Sequence, residues 1–309
     1  MKVAIVGGSG LVGRALTLAL IGDGAEVVVL SRDPGKHARK VLPPATIARW
    51  SPDDVPALAQ SIDGFDAVVN VAGARVAPWP WTRRRKAVIR SSRVDGVRAI
   101  VDAIDRLPPD RRPSRFVVVS GIDAYPESPV GDDPPPMTES SPMGTEFLAG
   151  VSREMEDEAQ RATALGVGVV TVRMGNVLAR DAALMRYLAL PVRLFLGGRL
   201  GSGQQWFTWV HIDDAVALFR KAIDGTVPDG VLNATSPGAV KQIDFARAMG
   251  NALHRPTWFP APAWLIRLVL GEQAVLLLGS RRIAPGRATE LGYQFRYSTI
   301  GPALEDVLG

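Results

Sequence analysis

The feature that most constrains the fold is a short apolar run followed at once by three glycines spaced three residues apart. Residues 3–6 carry no polar side chain, and Gly7, Gly10 and Gly13 follow them. Such a run predicts a strand covered on both faces, and the glycines allow a tight turn, close approach to a pyrophosphate and packing of a helix on the strand. The helix N-terminus favours the anion. We therefore predict a dinucleotide site formed by Gly7, Gly8, Ser9, Gly10, Leu11, Val12 and Gly13.

The first half of the chain alternates between short apolar runs and amphipathic stretches. This alternation predicts an α/β fold, in which a Rossmann-type, doubly wound parallel sheet of six or seven strands carries the cofactor at its carboxyl edge. We assign 1–175 to this core and 176–309 to a smaller α/β substrate region. The predicted strands are 3–6, 26–30, 46–50, 66–70, 115–120 and 167–172. The predicted helices are 11–21, 53–61, 82–104, 145–165, one that begins at 213, 242–253 and 262–278.

Composition excludes several kinds of site. The 309 residues include no cysteine and only three widely spaced histidines, which excludes thiolate chemistry and gives no support for a metal centre. The net charge of +5 is the difference between 36 basic and 31 acidic residues spread along the chain, so nucleic acid is not an expected partner. The apolar runs are too short to span a membrane, and the N-terminus has no signal-peptide layout. We expect a cytoplasmic protein with no metal, nucleic-acid or membrane partner.

The end of the second predicted strand indicates which dinucleotide is bound. Ser31 stands where an acidic side chain would hold a ribose 2′-hydroxyl, and Arg32 follows it. Because a guanidinium binds phosphate as a charged fork, this pair predicts NADP(H). Two alternatives are that Arg32 only pairs with a neighbour such as Asp33, or that it stacks on the adenine.

The fourth and sixth strands end at the same edge, where we assign to the cofactor Asn70, Val71, Ala72, Gly73 and Arg173.

With these motifs the chain resembles the extended and atypical short-chain dehydrogenase/reductase superfamily, and more narrowly its "epimerase family" proteins that end in a domain of unknown function. The resemblance covers essentially the whole chain. It implies a Rossmann core, a family-specific C-terminal part at 236–309 and NADP(H) as the ligand of a monomer or homodimer. Arg93, within a matching stretch, and Ser120 join the expected cofactor contacts. The matching stretches are 66–73, 91–94, 197–206, 209–214, 233–237 and 292–297.

The resemblance also exposes a missing catalytic pair. The superfamily normally uses a tyrosine as proton donor, with a lysine four residues later that lowers the tyrosine pKa. None of the four tyrosines in this sequence has a lysine four residues later. In the helix where the pair would stand, we place Leu148 and Ser152 at the tyrosine and lysine positions.

Candidate replacements lie near the same edge, and each has a structural alternative. Tyr125, Ser120 and His211 are the predicted catalytic residues, although Tyr125 could simply pack at the nicotinamide end of the cleft. His211 could be a hydrogen-bonded residue ahead of two helix-capping aspartates. Further candidates are Asp123 and Glu139, which we expect to be solvated, and Glu146.

These observations predict an NADP(H)-binding protein that resembles epimerases and oxidoreductases and acts on an unknown small molecule through a non-standard active site. The alternative is a catalytically silent NADP(H)-binding sensor or scaffold with a link to cell division. The missing tyrosine–lysine pair favours the alternative, whereas the retained cofactor motifs favour an enzyme.

Overall fold

The computed structural model describes residues 1–37, 43–77 and 80–309. Within these residues, seven strands form one parallel sheet in the order β3-β2-β1-β4-β5-β6-β10. The first six strands are β1 (Lys2–Val6), β2 (Glu26–Ser31), β3 (Thr46–Arg49), β4 (Ala67–Asn70), β5 (Arg115–Gly121) and β6 (Gly168–Met174). The later strands are β7 (Asn176–Leu178), β8 (Trp206–Phe207), β9 (Trp209–His211), β10 (Gly230–Ala234) and β11 (Val240–Lys241).

Helices cover both faces of the sheet and fill the C-terminal part. Those before β7 are α1 (Leu11–Gly22), α2 (Pro34–His37), α3 (Val55–Ile62), α4 (Arg83–Asp105) and α5 (Phe147–Gln160). Those after β7 are α6 (Ala183–Arg193), α7 (Ile212–Ile223), α8 (Gln242–Leu253), α9 (Ala263–Leu270), α10 (Val275–Leu278), α11 (Gly286–Glu290) and α12 (Ile300–Leu308). The prediction of a doubly wound parallel sheet is confirmed.

Two apolar layers hold the sheet. On one face, α1 and α7 bury residues such as Leu16 and Phe219 against β1 and its neighbours. On the other face, α3, α4 and α5 bury residues such as Ile100 and Met155. A third cluster, around the fully buried Trp209, joins α6, α8 and α12 beside the carboxyl edge of the sheet. The central strands therefore have no free face, as their uninterrupted apolar runs predict, whereas the edge strand β3 is only partly buried.

The seventh strand comes from the second half of the chain. β10 pairs in parallel with β6, with Leu232 opposite Val172, and no strand is predicted there from the sequence. The sheet thus draws on residues beyond the predicted boundary at 175, which itself stays a prediction. The predicted helix at 262–278 is interrupted, because Gly271 adopts φ +55° and a 3₁₀ turn, Gly271–Ala274, separates α9 from α10.

Candidate functional site

The glycine loop leaves no room for side chains at two of its positions. Gly7 has φ +87°, and a Cβ added there would lie 2.7 Å from the Ala72 nitrogen. A Cβ on Gly13 would lie 2.4 Å from the Gly7 carbonyl oxygen. Glycine at 7 therefore lets β1 and the chain after β4 approach, and glycine at 13 lets α1 pack on the loop.

The N-terminus of α1 is open to an anion. Gly10, the residue before the helix, provides no side-chain cap, and the first turn contains no acidic residue. The backbone N–H of Gly10 donates to the Gly7 carbonyl at 2.9 Å and closes the loop. Free N–H groups and the positive end of the helix dipole suit a phosphate group. The loop as built fits the predicted pyrophosphate site.

Ser31 and Arg32 differ in what holds them. The Ser31 Oγ is 2.8 Å from His37 Nδ1 and accepts the Asp33 backbone N–H at 3.2 Å. The Asp33 carboxylate accepts the backbone N–H of Lys36. Arg32 is exposed and forms no ion pair or hydrogen bond within 1–37, 43–77 and 80–309. The Arg32–Asp33 ion pair, an alternative left open by the sequence, is therefore not formed.

The turn after β4 is held by Asn70 and bordered by Arg93. Asn70 is buried, and its Oδ1 accepts the Ala72 backbone N–H at 3.1 Å. The guanidinium of Arg93, from α4, lies against Gly73 and donates through Nη1 to the Ala74 carbonyl at 3.0 Å. Burial lowers the pKa of Arg93, and the nearby Asp123 carboxylate opposes that shift. The sheet edge thus carries a half-buried cation.

The end of β5 places a hydroxyl and a carboxyl beside this cation. Ser120 is buried, and its Oγ has no hydrogen-bond partner in the described residues. Asp123 Oδ1 lies 3.3 Å from the Nη1 of Arg281. Burial raises the pKa of the Asp123 carboxyl, while Arg281 and Arg93 act in the opposite direction. Asp123, which we expected to be solvated, is half-buried: its side chain is 34% exposed and lies beside Arg281 from the C-terminal part of the chain.

Tyr125 follows this edge and lies in the interior of the protein. It is fully buried, and its hydroxyl donates to Asn233 Oδ1 at 2.7 Å. The guanidinium carbon of Arg173 lies 4.7 Å from the centre of its ring. Burial raises the pKa of the phenol further above its ordinary value. This placement supports the packing alternative for Tyr125.

Arg173 forms a buried ion pair with Glu156. Its Nε and Nη2 donate to the two carboxylate oxygens of Glu156 at 3.0 and 2.7 Å. Although burial alone would lower it, the pKa of Arg173 is raised by these hydrogen bonds. Because the Arg173 guanidinium is paired with Glu156 and packed against Tyr125, these contacts do not favour its predicted contact with a cofactor phosphate.

His211 caps the N-terminus of α7. Its Nδ1 accepts the Asp213 backbone N–H at 3.2 Å, and its Nε2 lies 3.2 Å from Asp306 Oδ2. Its ring centre is 3.9 Å from that of Tyr297. These contacts tie α7 to α12 and support the structural alternative for His211.

Glu139 also holds the fold together. Its carboxylate accepts the backbone N–H of Asn233 at 2.9 Å and that of Arg287 at 3.2 Å. The expectation that Glu139 is solvated is therefore wrong. Sequence reasoning missed Arg281, Asn233 and Glu156, because no local motif marks a residue whose partner lies in a remote segment.

One variant separates the two roles of Tyr125. We expect Tyr125→Phe to lower the free energy of unfolding by about 1 to 3 kcal/mol, since it leaves the buried Asn233 Oδ1 without a donor. Urea denaturation measures this loss. Tyr187→Phe is the control, because that side chain is 71% exposed. Reduced turnover with unchanged stability would instead favour the proton-donor role.

The family model of the NAD dependent epimerase/dehydratase family matches residues 3–234. The chain belongs to this family. A second model, a domain of unknown function (DUF1731), matches residues 261–307, within the C-terminal part. These matches confirm the resemblance that the glycine loop and the later motifs indicate.

Relatives extend over the whole chain. The Epimerase family protein SDR39U1 homolog, chloroplastic, of Arabidopsis thaliana is 33% identical over 308 residues, covering 100% of this chain and 87% of the relative. The crystal structure of human SDR39U1 (isoform 2) with NADPH has a TM-score of 0.86 at 31% identity and covers 100% and 99% of the two chains. A nucleoside-diphosphate sugar epimerase from Corynebacterium glutamicum has a TM-score of 0.76 at 28% identity and covers 100% of this chain and 58% of that one.

Proposed function

We propose that this protein is an NADP(H)-dependent oxidoreductase or epimerase that acts on an unidentified small molecule, with Asp123 as its proton-transferring group. The observation that carries the proposal is the carboxyl of Asp123, half-buried between the guanidiniums of Arg281 and Arg93. It follows the strand next to β4, whose end meets the glycine loop. Acid–base groups with shifted pKa values are typical of active sites.

The residues present fit NADP(H). The open N-terminus of α1 suits the pyrophosphate, and Arg32, which has no partner among the described residues, suits a ribose 2′-phosphate. The human relative of this chain was crystallised with NADPH. Bound at this edge, the cofactor would supply or accept a hydride.

Asp123 would act on the substrate oxygen. The Ser120 Oγ has no hydrogen-bond partner among the described residues but is closed to solvent, so it would contact that oxygen only after a local movement of the strand end. Asp123, with a pKa raised by burial, would hold a proton at a higher pH than an exposed carboxyl does and could give it to the same oxygen. Arg281, whose Nη1 lies 3.3 Å from Asp123 Oδ1, would stabilise the carboxylate that remains after the proton is given up.

Consumption of NADPH tests the function. Purified protein would be incubated with NADPH and a panel of aldehydes and ketones, and oxidation of the cofactor followed by absorbance. Because an epimerase returns the hydride and consumes no cofactor, nucleotide sugars would be incubated with NADP⁺ and their conversion to epimers followed by chromatography. Turnover that Asp123→Asn reduces would support the proposal. Tight NADPH binding with no turnover of any compound would favour the silent sensor or scaffold.

Arg32 is expected to set the cofactor preference. Arg32→Ala should weaken NADPH binding by roughly 10- to 150-fold, because a charge-assisted contact to the 2′-phosphate contributes about 1.5 to 3 kcal/mol. NADH binding should barely change. Titration calorimetry with both cofactors measures this difference, and Arg106→Ala, at the C-terminal end of α4, is the control. An equal loss for both cofactors would indicate stacking on the adenine.

Location and assembly remain predictions. Every helix among the described residues is too short or too polar to cross a bilayer. A cytoplasmic location stays a proposal, and the Arabidopsis relative is described as chloroplastic. A monomeric or homodimeric state is likewise proposed.

A further inference from the structure

One surface of the C-terminal half exposes large apolar side chains. Trp258 is 81% exposed, Leu268 75%, Tyr187 71% and Trp264 66%. Single exposed apolar residues are common, but a run of them on adjoining segments marks a contact surface. We call the exposed apolar side chains of 187–196, 258–259 and 264–269 the apolar face.

The segments that carry the apolar face are joined to one another. The loop after α6 runs beside the segment that leads into α9, where the backbone N–H of Phe259 donates to Gly197 at 3.0 Å. The backbone N–H of Ala261 donates to Arg199 at 2.9 Å. Arg255 lies over the ring of Phe195, 4.9 Å from its centre. The loop after α6 and the segment that leads into α9 thus lie side by side.

In the loop after α6, Phe195 exposes its apolar side chain from a backbone conformation that is unfavourable for a bulky residue. Phe195 has φ +62°, in the left-handed region that bulky residues rarely adopt, and it is 53% exposed. Backbone conformations of this kind persist mainly where they serve a function.

The two stretches of chain that carry the apolar face hold charge of one sign, and Glu272, which lines the same pocket as Leu268, is paired with Lys86. Residues 182–212 and 245–271 contain no aspartate or glutamate but six arginines. Five of these arginines are exposed and form no ion pair with any residue of the described ranges: Arg186, Arg193, Arg199, Arg255 and Arg267. The apolar face is therefore bordered by positive charge that the chain itself does not neutralise.

The positive charge of these arginines indicates which kind of partner binds the apolar face. A second copy of the chain in a two-fold contact would bring the same arginines toward each other, which costs free energy. A bilayer with anionic lipids would neutralise them and bury the tryptophans and leucines at its interface. We infer that the apolar face docks this protein on the surface of an anionic membrane. Such docking needs no membrane-spanning segment, so the expectation of no membrane partner, which rests on the lack of a span, does not exclude it.

Vesicle sedimentation of the full chain tests this inference. We expect binding to vesicles of phosphatidylcholine mixed with phosphatidylglycerol, and weak binding to phosphatidylcholine alone. Added salt should weaken the binding, because it screens the arginines. Leu268→Glu should reduce the affinity at least tenfold. Arg193→Gln and Arg267→Gln should each reduce it about fivefold.

Matched controls separate the apolar face from general effects. Leu18→Glu places the same charge on α1 at a residue that is 50% exposed, and Arg106→Gln removes an arginine outside the two stretches. Both should bind as the unaltered protein does. Circular dichroism of each variant shows that the fold is retained.

Two results would overturn the inference. One is equal binding of Leu268→Glu and the unaltered chain to the mixed vesicles, or no binding by either. The other is a dimer, detected by light scattering, that Leu268→Glu dissociates while no vesicle binding occurs, since a second copy would then be the occupant.

Discussion

Glu156→Gln is expected to lower the free energy of unfolding by about 3 to 5 kcal/mol, because it leaves the buried Arg173 guanidinium without a countercharge. The Arg173 side chain is only 5% exposed and the Glu156 side chain 10%. Their two hydrogen bonds engage both carboxylate oxygens of Glu156. Glutamine can replace one acceptor but not the charge. Urea denaturation followed by circular dichroism measures the difference.

The same helix offers a matched control. Glu154 pairs with Arg90 on the outside of α5, where both side chains are nearly half exposed. Glu154→Gln should change stability far less, because water solvates the remaining charge. The double variant Glu156→Met/Arg173→Met should recover much of the loss, since it buries no charge. Equal losses in Glu156→Gln and Glu154→Gln would show that the pair does not hold this part of the fold.

Asp123→Asn is expected to reduce kcat/KM for NADPH-dependent reduction by about 10²- to 10⁴-fold, the usual contribution of general acid–base catalysis. The amide keeps the shape of the side chain but has no proton to give at neutral pH. NADPH affinity, measured by calorimetry, should be nearly unchanged. Asp105→Asn, an exposed partner of Arg112 at the end of α4, serves as the control.

The pH profile distinguishes proton transfer from positioning. Reduction needs the protonated carboxyl, so activity of the unaltered protein should fall as the pH rises through the raised pKa of Asp123. Asp123→Asn should lose this limb of the profile and keep its low residual activity across the range. A variant with the same pH limb as the unaltered protein would remove Asp123 from the proton-transfer step.

The sequence by itself determined six of the seven strands of the sheet and the cofactor loop. The apolar runs that become β1 to β6 are continuous, and their period and length need no partner to be recognised. The three glycines lie within a few residues of one another, at the junction of β1 and α1, so their spacing alone predicts the shape of the turn. Local chemistry was therefore sufficient for the Rossmann architecture.

Only the tertiary structure decided what the polar side chains do. Tyr125 meets Asn233 across 108 residues of sequence, and the Arg281 side chain returns 156 residues to the backbone of Tyr125. Arg173 and Asp123, both charged, differ because one faces a buried glutamate and the other faces two arginines beside an open edge. The free energy of a buried charge depends on its solvation and its partners, and residues far apart in the sequence bring those together only when the chain is folded.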